Sequence, residues 1–88
     1  MQNLSLIENV NGKEVLYEVI ATYHDDKSNK DFVVYTDKTL DEDKNLNIFY
    51  SLYCMDNNKI KLLQTENIED KKIGLKIIKE VAEMLKNG

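Results

Sequence analysis

Few side chains in this 88-residue chain are of types that do chemistry: one cysteine, Cys54, one histidine, His24, and a run of carboxylates between Asp37 and Asn47. A thiol and an imidazole make a nucleophile–base pair when they meet within hydrogen-bond reach and a third group orients the base. Cys54 closes the apolar face of a predicted strand, where burial raises a thiol pKa and leaves it inert. His24 stands in a polar stretch beside Asp25 and Asp26. No third group is identifiable and no glycine-rich phosphate loop exists, so no catalytic residues and no enzyme are expected. A lone cysteine also excludes a disulfide framework and a cysteine zinc site.

The carboxylate run deserves a metal test. Asp41, Asp43 and Asn45 place oxygen ligands at every second position, as a calcium loop begins. The pattern then fails twice: Leu46 stands where the loop needs glycine, and Leu52 stands where the bidentate glutamate belongs. Strands, rather than helices, are predicted on either side. Asp41, Asp43 and Asn45 remain candidates for weak divalent-cation binding only, and the plainer reading is a solubilising loop. No cofactor is expected.

Nucleic-acid and membrane binding are disfavoured by charge. The chain carries twelve lysines, no arginine and sixteen acids, for a net charge of −4. Sequence-independent binding to nucleic acid or anionic lipid rests on a cationic excess, and without arginine no bidentate guanidinium clamp forms. Lys30–Tyr35 places aromatics on a strand as an RNA-binding sheet does, but lacks that motif's glycines. The beginning of the sequence has no basic segment followed by a long apolar run, and nothing approaches a membrane-spanning stretch. With the single cysteine, this points to a cytoplasmic protein.

The elements that position these groups read clearly. Asn11-Gly12 between two β-rich runs is the favoured two-residue hairpin turn. Its register pairs Val10 with Lys13, Glu8 with Val15, Leu6 with Tyr17 and Leu4 with Val19. That puts Leu4, Leu6, Val10, Val15, Tyr17, Val19, Ala21 and Tyr23 on one face, and Ile7, Leu16 and Ile20 on the other. A third strand, Asp31–Thr36, is apolar on both faces and so central. A fourth covers Leu46–Met55, a turn falls at Asp56-Asn57-Asn58, and a shorter fifth covers Lys59–Gln64. From Asn67, an N-cap followed by Glu69 and Asp70, the period becomes helical. Ile73, Gly74, Ile77, Ile78, Val81, Ala82, Met84 and Leu85 share one arc. Lys71, Lys72, Lys76, Lys79, Glu83 and Lys86 share the other. Gly74 on the apolar arc points to close helix–sheet approach.

The expected fold is therefore a single α+β domain over residues 1–88: an antiparallel meander of about five strands with one C-terminal amphipathic helix on one face. With almost no glycine and no proline, its corners must be made by Asn and Asp.

The order of these segments also resembles a known family. Tyr35-Thr36-Asp37, then Asp41-Glu42-Asp43 and the Asn45–Tyr53 strand, is similar to the YrzB-like family of small acidic bacterial proteins, domain of unknown function 1292. The resemblance covers roughly residues 4–85 and implies a cytosolic bacterial protein with no established activity. Members tend to carry an acidic C-terminal segment, whereas this helix is lysine-rich.

Two functional expectations follow. The first is a non-enzymatic protein-interaction module, because one helix cannot cover two apolar sheet faces. Leu16, Ile20, Val33, Tyr35, Phe49 and Tyr53 are its candidate contacts, with the stripe of Lys71, Lys72, Lys76 and Lys79. Residues 1–70 hold fourteen acids against seven lysines, and residues 71–88 five lysines against two acids, so the helix is a basic element on an acidic body. The partner is an unidentified protein or a second copy. The alternative is weak cation or small-ligand binding through Asp37–Asn47.

Overall fold

The computed structural model describes the backbone of residues 5–64 and 67–87. Five strands, β1 (Ser5–Val10), β2 (Lys13–Asp25), β3 (Lys30–Leu40), β4 (Leu46–Asp56) and β5 (Lys59–Leu63), precede one helix, α1 (Ile68–Asn87). The sheet order is β1-β2-β3-β4-β5, and every neighbouring pair is antiparallel. This is the expected α+β meander, with β3 in the centre.

Asparagine makes the corners. Asn11 and Gly12 take φ of 52° and 81°, and Asn57 and Asn58 take 51° and 64°. Both residues of each two-residue loop are thus left-handed, which matches the twist of the strands they join. The first hairpin keeps the expected register from Val10↔Lys13 through Leu6↔Tyr17. The Leu4–Val19 pairing lies outside the described residues. Between β2 and β3, Asp25 accepts from the Ser28 backbone N–H at 2.9 Å and from its hydroxyl at 2.7 Å, with Asn29 at φ 57°. Those bonds to the ionised form, the hydroxyl's first, hold the Asp25 carboxyl below its usual range.

One feature of β2 departs from strict alternation. Val19 pairs with Tyr35 and Ala21 with Val34, so Ile20 is an extra residue in a bulge. Parity inverts there. Val15, Tyr17 and Val19 share a face, but Ala21 and Tyr23 lie on the opposite one, opposite Val34 and Phe32. The single apolar face expected from Val15 to Tyr23 is divided in two.

The core lies between α1 and the sheet face bearing Phe32, Val34 and Leu52, which close on Ile77 and Val81. Ile20, Ile48, Tyr50, Ile73 and Ile78 pack around them. α1 rests on β4 and β3. Its start is capped as expected: Asn67 Oδ1 accepts the Glu69 N–H at 2.8 Å. Asp70, in the first turn and buried, receives Lys30 Nζ of β3 at 2.7 Å. Gly74 lies against Tyr50, and a Cβ there would overlap the ring. The apolar arc ends sooner than the wheel suggests: Met84 and Leu85 are exposed.

Candidate functional site

The sheet face turned away from α1 is built by alternate residues of β2, β3 and β4. Before the bulge β2 contributes Val15, Tyr17 and Val19, and after it Thr22 and His24. β3 adds Asp31, Val33 and Tyr35, while β4 adds Phe49, Ser51 and Tyr53. Three rings gather at its middle. Tyr17 and Tyr35 meet edge-to-face with centroids 4.9 Å apart, and Phe49 lies 5.7 Å from Tyr35 and 6.4 Å from Tyr17. Such spacings are those of favourable aromatic pairs. Phe49 remains 39% exposed, and Tyr17, Tyr35 and Tyr53 are half-buried.

The six apolar residues expected to share this surface do not all do so. Val33, Tyr35, Phe49 and Tyr53 lie on it, but Leu16 and Ile20 project to the helix side. Ile20 keeps the parity of Leu16 and Glu18 and packs on the core. Leu16 is 62% exposed beyond the reach of α1. Val33 is fully buried although no described helix covers its face, so Val33 offers nothing to a partner.

His24 and Asp31 form a cross-strand pair at one end of the same face. Nδ1 of His24 lies 2.7 Å from Asp31 Oδ1, and Nε2 lies 3.7 Å from Asp26. The bond to Asp31, reinforced by the charges of Asp31, Asp26 and Asp25, raises the imidazole above its ordinary 6.5. Cys54 shares the parity of Leu52 and therefore faces α1, half-buried rather than buried. The thiol and the imidazole project from opposite faces of one sheet. A dyad between them would require the chain to refold.

Two carboxylates, Asp37 near the end of β3 and Asp41 in the β3–β4 connection, are engaged by nearby groups of their own turns. Asp41 Oδ1 accepts the N–H groups of Asp43 and Asn45, each at 2.9 Å. Asp37 accepts the Thr39 hydroxyl at 2.6 Å and its N–H at 3.0 Å, which lower its pKa. Among the described residues no three His, Cys, Asp or Glu side chains converge as a metal site. These are the local side-chain caps that Asp makes in turns.

The lysine stripe of α1 is exposed as expected. Two apolar side chains that the sequence reading assigned to neither arc stand among it: Ile68 and Leu75 are 70% and 62% exposed. Their seven-residue spacing was the available signal. An open cleft of about 720 Å³ separates the start of α1 from the β2–β3 turn, lined by Tyr23, Lys27, Lys30, Asp70, Ile73 and Lys76 among others.

Comparison with known proteins adds one likeness. The chain is 33% identical over 58 residues to a UPF0473 protein of Leuconostoc mesenteroides subsp. mesenteroides. The match covers 66% of this chain and 58% of that relative, so the chain spans little more than half the relative's length. That name states no activity, ligand or partner. No family model matches, and no solved structure matches. Among the described residues no helix is long and apolar enough to cross a membrane.

Proposed function

We propose that the chain is a non-enzymatic, cytoplasmic protein-interaction module of the YrzB-like family, and that it docks a partner protein through the sheet face opposite α1. The observation that carries this reading is the Tyr17–Tyr35–Phe49 cluster, standing part-exposed on the face that the only described helix leaves open. Rigid aromatics that keep one side wet are the residues interfaces favour. The opposed placement of His24 and Cys54 supports the non-enzymatic part of the reading.

Phe49→Glu tests it, because a charge at the centre of that face disrupts docking while Phe49 contributes nothing to the helix-side core. Capture from a bacterial lysate is expected to recover a protein with the wild-type chain and with Leu75→Glu, and to lose it with Phe49→Glu. Equal recovery by both variants rejects the face. Light scattering at micromolar concentration separates a foreign partner from a second copy. The alternative, cation binding by Asp37, Asp41, Asp43 and Asn45, draws support only from the density of carboxylates. A calcium titration followed by amide shifts decides it.

A further inference from the structure

β5 covers only half of β4. Its five residues pair with Leu52–Asp56, and Ser51 Oγ donates to the carbonyl of Leu63, the last residue of β5, at 2.8 Å. Among the described residues no strand pairs with the outer edge of Leu46–Tyr50. Alternate residues of such an edge present backbone N–H and C=O groups outward, a template for one more strand.

α1 supplies a wall beside that edge. One flank of the helix, with Ile73 and Lys76, looks toward Tyr23 and Lys30 of β2 and β3. The opposite flank, near the C-terminal end, looks past β4 to its free side. There Ala82, Leu85 and Lys86 enclose a groove of about 280 Å³ with Lys44, Asn45, Leu46 and Ile48. Its floor is aliphatic and its charged rim residues, Lys44 and Lys86, are both cationic. Leu85 is exposed into a space bounded by two apolar β4 side chains. A strand added to the edge would turn every second side chain toward this groove and the rest toward Phe49.

We propose that the groove between the β4 edge (Leu46–Tyr50) and Ala82–Lys86 of α1 binds an extended acidic segment of a partner protein, which joins the sheet as an added strand. Main-chain ladder bonds supply affinity, the aliphatic floor selects an apolar side chain at alternate positions, and the two lysines select carboxylates. A second copy of this chain is disfavoured as the occupant. Two-fold edge pairing would bring two grooves with the same cationic rims together. The proposal rests on the interaction-module reading and locates a second surface, which meets the aromatic face at Phe49.

The probe is an acetylated, amidated hexapeptide, Glu-Thr-Val-Thr-Glu-Thr, whose odd positions share one face, titrated into the isotope-labelled protein. Saturable amide shifts are expected at Leu46–Tyr50 and Ala82–Lys86. The same peptide with Lys in place of Glu, and the Glu peptide N-methylated at alternate residues, should each bind at least about tenfold more weakly. The double variant Lys44→Glu/Lys86→Glu, which alters only exposed side chains, should reverse the charge preference. Tyr17→Glu, which alters the aromatic cluster on β2 with β3 standing between it and the β4 edge, should leave peptide binding unchanged, so the groove is judged independently of the aromatic face. Shifts that centre on Lys71, Lys72 and Lys79 and survive N-methylation overturn the proposal. So does the absence of saturation by about 1 mM, or concentration-dependent dimerisation that protects Leu46–Tyr50 without peptide.

Discussion

His24 and Asp31 face each other across β2 and β3 with the short contact of a charge-assisted pair. Since the bond raises the folded-state pKa of His24 above 6.5, the pair's contribution to stability is complete below the unfolded value. It disappears as pH rises through the folded one. The imidazole titration followed by NMR should therefore show a midpoint above 6.5, and Asp31→Asn should bring it down. An unchanged midpoint in that variant would mean that Asp25 and Asp26 hold the proton instead. The effect on stability is small, since both groups are exposed and screened. Sequence proximity pointed to Asp25 and Asp26 as the neighbours of His24. The dominant partner lies seven residues on, because the β2–β3 turn folds β3 back alongside β2.

Among the elements, α1 was the most legible. Its cap, acidic first turn and stripe of buried Ile77 and Val81 with half-buried Ile73 follow from the 3.6-residue period and N-cap chemistry. Gly74 was readable as a point of close approach; what it approaches, Tyr50, was not. Two effects compete in Gly74→Ala. Helix propensity favours alanine by about 1 kcal/mol, whereas forcing a methyl into the Tyr50 ring costs about 1–3 kcal/mol. The expected result is net destabilisation by about 1 kcal/mol in urea unfolding. In a Tyr50→Ala background the same change should become neutral or stabilising, since the obstruction is gone. Destabilisation of equal size in both backgrounds would locate the cause elsewhere. The β2 bulge was invisible because the apolar positions on either side of Ile20 continue the same period. Only pairing with β3 reveals the inserted residue.

For the whole molecule, a meander places each strand beside its sequence neighbours, so long-range order depends on α1 closing over β3 and β4. β3 is laddered on both sides and carries Phe32, Val33 and Val34 in full burial. Its amides should exchange slowest, those of Phe32–Thr36 at the global unfolding rate, while β5, an edge of five residues, exchanges by local opening. Protection of Lys59–Leu63 equal to that of β3 would contradict this ordering.

By itself the sequence determined the α+β class, the hairpin register, the central place of β3, the helix and its cap. Each depends on turn chemistry or on residue period, and both are local. Tertiary structure alone decided which apolar residues face a partner and which face the core. One bulge exchanges the two faces of β2, and the lateral position of α1 over β4 leaves Leu16 in water. Val33 is meanwhile buried on the face away from α1, and β5 stops halfway along β4. Those outcomes depend on where whole elements lie relative to one another, and residue spacing within an element carries no record of that.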